Sequence, residues 1–268
     1  MRNFRLICYY YSIVRNYYPN FFKRFIHIYP LKSALGRFWR VCLDLLFPRK
    51  CLGCGKTSTW LCSGCLNRLP RSFSQREDKI FSVFEYNSPV VKQVIWRLKY
   101  KRTLELAETL AKPMHDVLLE ELEDELLAPC KIILIPAPLS PSRFRSRGYN
   151  QAEELARQIA LLNPDQFEVR TDLIKKTKNT PTQVSIRNRD KRLANLKNAF
   201  ALSKEFSPPD LGLPTSLKLR GTSTRGLVGK VVVIIDDVST TGATINEIRQ
   251  LLTRAGARHV YGLVVAHG

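Results

Sequence analysis

The chain has 268 residues, room for one medium α/β domain and a small appendage. Its composition is that of a globular protein, except that 43 Lys and Arg oppose 23 acids for a formal net charge of +20. No run of about 20 apolar residues occurs, which argues against a spanning helix. The excess charge favours polyanions such as nucleic acid or anionic lipid, and is equally compatible with a solvated basic surface.

Residues 1–32 are a basic, aromatic extension in which Tyr9, Tyr10, Tyr11, Tyr17, Tyr18, Phe21 and Phe22 are interrupted by Arg15, Lys23 and Arg24. Its uncharged stretches are too short and too tyrosine-rich for a signal peptide. A disordered arm, a membrane-surface anchor and upstream sequence from a misassigned start codon all remain open. From Ser33 to Phe47, Leu35, Phe38, Trp39, Cys42, Leu43, Leu45 and Leu46 recur at helical spacing, with Ser33 placed to cap and Pro48 to stop the helix. The expected use is packing on the chain's own domains, the alternative a helix lying on a membrane surface.

Cys51-Leu-Gly-Cys54-Gly and Cys62-Ser-Gly-Cys65 are two C-x-x-C pairs. Each gap lets two thiolates point at one ion, and four thiolates complete a tetrahedral Zn²⁺ shell with no open position, so the expected site is structural. Disulfides and a redox dithiol are the alternatives. The lack of a secretion signal argues against the first, and the second copy of the motif against the other. Cys8, Cys42 and Cys130 have no partner at ligand spacing.

Beyond residue 70, the pattern predicts a strand over 80–86 and a helix over 90–100 with Val91, Val94, Ile95 and Leu98 inward and Lys92, Arg97 and Lys99 outward. An acidic helical stretch over 103–127 and a strand over 131–135 come next. After Pro136-Ala137-Pro138, Ser140, Arg143, Arg145 and Arg147 sit on an expected loop. As a loop following a parallel strand, it can hold a pyrophosphate or a nucleic-acid backbone, or merely be solvated. A helix over 150–162, a short strand over 167–171, a basic helix over 185–196 and a Ser/Pro/Gly/Thr-rich flexible insertion over 203–229 follow.

Val231 to Ile235 are five β-branched residues in a row, suited to a strand buried on both faces. Asp236 and Asp237 end that run, and unpaired carboxylates belong at the carboxyl end of such a strand, beside the ligand crevice of an open α/β sheet. Val238, Ser239, Thr240, Thr241, Gly242, Ala243 and Thr244 lead into a helix carrying Ile245, Ile248, Leu251 and Leu252. Such a loop offers hydroxyls, backbone N–H groups and a positive helix end to a phosphate, while the acids suit sugar hydroxyls. Residues 259–266 supply a last strand. The βα alternation predicts a parallel sheet with helices on both faces.

The segment 231–245 resembles the phosphoribosyl-pyrophosphate (PRPP) signature of type I phosphoribosyltransferases. That resemblance implies that Asp236 and Asp237 contact the ribose hydroxyls and that the Thr/Gly loop holds the 5′-phosphate. The Cys51/Cys54/Cys62/Cys65 knuckle, Ile95-Trp-Arg-Leu-Lys-Tyr100, Ile135-Pro-Ala-Pro-Leu-Ser140, Arg147-Gly-Tyr-Asn-Gln-Ala152, Lys178-Asn-Thr-Pro-Thr-Gln183 and Asp236 to Thr244 stand in an order that resembles the ComF/GntX family. The resemblance covers about residues 34–268. Val184-Ser185-Ile186 departs from it, lacking the further Gln that such proteins commonly carry there.

The expected architecture is therefore a type I phosphoribosyltransferase-like parallel sheet flanked by helices over 71–268. A helix and small four-Cys zinc ribbon over 33–70 would precede it, with 1–32 unmatched. The resemblance implies a cytosolic protein, peripheral at most to the inner membrane and its DNA-uptake machinery. It would bind PRPP or ribose 5-phosphate with Mg²⁺ and handle imported single-stranded DNA in natural transformation. The competing expectation is an active phosphoribosyltransferase of nucleotide or cofactor metabolism. No catalytic nucleophile or base is evident.

Overall fold

The structure is a computed structural model and describes residues 48–72, 79–128, 130–178, 199–203 and 227–268. The expectations for 1–47, for Thr180 to Gln183, for the basic helix over 185–196 and for most of 203–229 lie outside the described residues.

Around Cys51, Lys50 and Thr57 form an antiparallel bridge. Gly55, at φ +75°, closes the turn by donating its N–H to Cys51 O at 2.9 Å, and Cys51 N donates to Lys56 O at 2.8 Å. The second cysteine pair flanks the start of a one-turn helix, α1 (Ser63–Asn67), with Cys62 as its N-cap residue.

The larger body is built on five parallel strands. They are β1 (Ile80–Glu85), β2 (Ile132–Pro136), β3 (Phe167–Val169), β6 (Val231–Ser239) and β7 (His259–His267), in the order β1-β7-β6-β2-β3. A two-stranded antiparallel sheet, β4 (Ile174–Lys176) and β5 (Phe200–Leu202), stands apart. Among the described residues the helices are α2 (Pro89–Tyr100), α3 (Glu105–Glu121), α4 (Glu123–Leu126), α5 (Pro141–Arg147), α6 (Gln151–Leu162) and α7 (Ala243–Arg254).

The β-branched run in β6 is buried throughout, and its period of two sorts it between two layers. Val232 and Ile234, with Ile133, Ile135, Val260 and Val264, pack on Ile245, Ile248 and Leu252 of α7. Val233 and Ile235 point the other way, toward the layer in which α3 and α6 pack on each other and on the sheet. That layer contributes the fully buried Leu106, Leu110, Leu155 and Ile159. The expected sheet with helices on both faces is what the chain forms.

Four details differ from the sequence reading. The residues 141–147 are helical, not a loop. Ser140 caps them, its Oγ accepting from Arg143 N at 3.5 Å, and Pro141 suits the first turn, where no N–H is needed. The segment 80–86 forms the expected strand but is more buried than apolar/polar alternation alone requires, with five buried residues although β1 is an edge. The chain around Arg71 pairs antiparallel with Phe84 and covers that edge, Ser72 N donating to Val83 O and Glu85 N to Pro70 O. The acidic stretch 103–127 breaks at Leu122 into two helices. The two ends of the 203–229 segment are packed: Ser203 Oγ donates to Asp172 O, Leu227 is fully buried, and Gly229 N donates to Gly256 O at 3.0 Å.

Strand order fixes where a ligand can sit. From β2 the chain runs to β3 on one side and later returns to β6 on the other. The crevice of this sheet therefore opens between the carboxyl ends of β2 and β6. The Pro136-Ala137-Pro138 segment leaves β2 there, with Ala137 N donating to Ile235 O at 2.8 Å. The acids expected to end the β-branched run do not end the strand: β6 continues to Ser239, with Asp236 and Asp237 inside its last four residues and Asp237 buried.

Candidate functional site

Asp237 is buried, and both of its carboxylate oxygens are engaged. Lys99 Nζ lies 3.0 Å from Oδ1, and Gln151 Nε2 donates to Oδ2 at 2.9 Å. Gln151 in turn accepts from Arg147 Nη1 at 2.9 Å. Three separate segments, the ends of α2 and α5 and the start of α6, thus converge on one carboxylate. Asn150 caps α6 through Ala152 N and donates to Ala137 O, tying that helix to the β2 loop, and Tyr149 Oη donates to Leu98 O. Burial lowers the Lys99 pKa. The charge of Asp237 and the hydrogen bond to it, with Asp236 beyond, outweigh that and hold it above the ordinary lysine value.

Asp236 has a different environment. Its Oδ1 accepts from Asp237 N at 2.8 Å. Burial first, and then the negative charge of Asp237, push its carboxyl up to about 7, against the pull of Lys99 and Lys176. A carboxyl so poised accepts a proton, a cation or donor hydroxyls readily. Lys176, on β4, carries its ammonium 5.0 Å over the Phe200 ring. Burial and the charge of Arg143 lower its pKa to about 8.

Beyond the acids, Asp236 and Val238 to Ile245 line a small open cleft. Ser239 Oγ is buried there without a hydrogen-bond partner. Buried hydroxyls are normally satisfied, so this one, lining a cleft at the start of a twelve-residue helix, fits an oxyanion acceptor. Gly242 sits at φ +67° as the N-cap residue of α7. A Cβ there would come within 2.9 Å of Ile80 Cδ1 and 3.2 Å of Asn246 Nδ2. Glycine is thus required by the turn and by the chain's own packing, whatever approaches from outside.

The helical turn of α5 separates the three arginines expected to act together. Arg143 and Arg147, four residues apart, share the half-buried side, while Arg145 is exposed. Burial and the neighbouring Arg147 lower the Arg143 pKa, and both acids of β6 act on it in the opposite sense. Ser140 is buried and serves as the helix cap, with Ser142 Oγ 3.1 Å away.

Lys99, expected to point outward with Lys92 and Arg97, instead turns in to pair with the buried Asp237, and Gln151 has no place in the site by the sequence reading. For Lys99 a signal exists: Val91, Ile95 and Lys99 form one i, i+4, i+8 row, so a lysine continuing an apolar row at the helix end points inward rather than out. For Gln151, only its position at the start of α6 hints at proximity to the crevice.

The Sγ atoms of Cys51, Cys54, Cys62 and Cys65 lie within 4.8 Å of one another, an arrangement that can hold a metal ion. Cys54 and Cys62 are 3.7 Å apart, and tetrahedral metal–sulfur bonds of about 2.3 Å require edges of about 3.8 Å. Arg68 reaches back to Gly64 O at 3.0 Å and places Nη2 3.9 Å from Cys65 Sγ, favouring the thiolate form.

Residues 145–267 match the family described as "Phosphoribosyl transferase domain", a span from within α5 to the end of β7. Competence protein F of Haemophilus influenzae is 30% identical over 220 residues, covering 81% of this chain and 84% of that protein. The chain belongs to the competence protein F, or ComF, family. DNA utilization protein YhgH of Escherichia coli O157:H7 is 32% identical over 214 residues, 78% of this chain and 80% of its own. Competence protein ComFC of Streptococcus pneumoniae is 28% identical over 179 residues, 67% and 64% respectively. This ComF chain, as described, contains no helix long and apolar enough to cross a membrane.

Proposed function

We propose that this ComF protein binds PRPP or ribose 5-phosphate and supports natural transformation by handling imported single-stranded DNA on the cytosolic side of the inner membrane. The observation that carries the first half is the meeting of an acid pair, an unsatisfied hydroxyl and a helix start at the one crevice the strand order creates. Thr240, Thr241, Gly242, Ala243 and Thr244 would surround the 5′-phosphate, and Asp236 would accept from a ribose hydroxyl. Asp237, with both oxygens engaged, would hold the surrounding wall in place. Mg²⁺ would arrive with the diphosphate, whose charge it neutralises; Asp236, with its raised pKa, is the carboxylate suited to face it. The four-cysteine cluster would hold Zn²⁺ in a closed, structural shell.

The DNA half is supported by the names of the relatives, a competence protein and a DNA utilization protein, together with the net charge of +20. A second reading is favoured by the transferase-domain match and by Lys176, whose pKa burial and Arg143 lower to about 8. In it, a base or amine would attack ribose C1, the C1–N bond forming as the C1–O bond to diphosphate breaks and diphosphate leaves, its charge neutralised by Mg²⁺ when that ion is bound. Such chemistry relies on electrostatic stabilisation rather than on a dedicated nucleophile.

Thermal unfolding with increasing PRPP or ribose 5-phosphate tests the ligand. A concentration-dependent rise in Tm, lost in Thr241→Val, is expected; no shift with either compound overturns it. Incubation with PRPP, Mg²⁺ and a panel of bases, followed by diphosphate assay, decides between PRPP binding without turnover and transfer.

A further inference from the structure

The last turn of α2 carries a surface feature that the sugar-phosphate site does not use. Trp96 and Tyr100 are 50% and 55% exposed, large values for aromatic rings. They stand one turn apart on the same face, their centroids 6.0 Å apart at 48°. Each ring has its own cation: Lys101 Nζ is 5.5 Å from the Trp96 centroid and the Arg147 guanidinium 5.1 Å from that of Tyr100. On α5, one turn before Arg147, Phe144 is 49% exposed.

Isolated exposed aromatics need no explanation, but two adjacent rings on a basic surface do. Neither α2 nor α5 contains an acid, and Arg97, Lys99, Lys101, Arg102, Arg143, Arg145 and Arg147 lie on or beside them. With half its area open, each ring retains a surface for a planar partner, and the cations lie where phosphates of a chain would pass. Alternating π-faces and cations are what an unpaired strand recognises without regard to sequence. A duplex, with its bases stacked inside, has no use for the rings.

We infer that Trp96 and Tyr100 form a base-stacking platform for single-stranded nucleic acid, with Lys101 and Arg147 taking the flanking phosphates. This rests on the proposed handling of single-stranded DNA and names the surface that performs it. The platform adjoins the sugar-phosphate site through two links: Lys99, between the rings in sequence, pairs with Asp237, and Arg147 joins Tyr100 to Gln151. A strand on the rings therefore lies at the rim of the crevice.

Fluorescence anisotropy of the full-length protein with a labelled oligothymidylate, and with an abasic strand of equal length, tests the platform at fixed salt. Trp96→Ala and Tyr100→Ala are each expected to weaken oligothymidylate binding about tenfold, Tyr100→Phe to restore it, and the abasic strand to bind weakly to every form. Equal binding of both strands by the native protein, or alanine variants indistinguishable from it, overturns the platform while leaving the DNA reading intact. Native protein that binds neither strand overturns the DNA reading and the platform together. Capture by anionic vesicles that an excess of oligothymidylate does not displace identifies a membrane-contact surface and also overturns the platform. Because both rings are half exposed, unchanged Tm in the alanine variants separates lost binding from lost folding.

Discussion

Lys99 Nζ lies 3.0 Å from Asp237 Oδ1, joining the last turn of α2 to the carboxyl end of β6. The Asp237 side chain is 5% exposed and that of Lys99 23%, so neither charge has bulk water to fall back on. Removing one partner leaves the other buried and uncompensated, which costs far more than the pair contributes.

Lys99→Met is accordingly expected to destabilise the protein by about 2–4 kcal/mol. Adding Asp237→Asn to it should restore much of that loss, since the buried charge disappears and Gln151 keeps a partner. Denaturant unfolding of the two single variants and the double variant provides the cycle. Additive losses would show that Lys99 stabilises through its aliphatic stem instead.

Asp236 carries the pH dependence. Its folded pKa of about 7 lies above the ordinary carboxylate value. The native state therefore holds this proton more tightly than the unfolded chain does. The resulting stability is fully present below about pH 4 and is lost as pH rises through about 7. Asp236→Asn should remove that slope and raise Tm at pH 8, while weakening ribose 5-phosphate binding. In the native protein that binding should strengthen between pH 6 and 8 as Asp236 ionises. A Tm that is no higher in Asp236→Asn at pH 8 would mean the carboxyl titrates normally.

The sheet and the ligand crevice are legible in the sequence for a simple reason. Val231 to Ile235 are apolar on both faces, so strand and burial are written in five residues; the strand end is not, because β6 continues through the acids to Ser239 and Asp237 is buried against partners from other segments. Helix α5 is not legible, because seven residues with one apolar side chain, Phe144, give no periodicity to read. Its consequence, the parting of Arg145 from Arg143 and Arg147, is invisible too. Lys99 looks like one more cation on a basic helix, since its partner lies 138 positions further along the chain, and only the fold brings the two together. Burial of β1 is hidden similarly, because the cover on its edge comes from around Arg71.

Gly242 allows a local test of the loop. Gly242→Ala forces a Cβ onto a backbone at φ +67° and toward Ile80, so a loss of about 1–2 kcal/mol is expected even without ligand. Thr241→Val, which keeps shape and removes only a hydroxyl, should leave Tm nearly unchanged and reduce the ligand-induced shift. The reverse pattern would assign Thr241 to folding and leave the phosphate to other groups.

The cysteine cluster should bind one metal ion per chain, measurable by mass spectrometry or a chromogenic chelator. Cys54→Ser removes one of four thiolates and is expected to lower both metal content and solubility. Unchanged thermal stability in metal-free protein would separate the cluster from folding.

The choice between DNA handling and metabolism is decided in a cell. The anionic ligands proposed for this chain meet different groups: a phosphate in the loop before α7, a strand on the cations of α2 and α5. Asp236→Asn should therefore impair sugar-phosphate binding and spare single-stranded DNA. Neutralising Lys101, one of the cations assigned to the flanking phosphates, should reduce the salt dependence of DNA binding by about one counterion. In a naturally transformable host, loss of the gene should cut transformation without creating a purine or pyrimidine requirement. A base auxotrophy with normal DNA uptake would remove the DNA reading and promote the transferase.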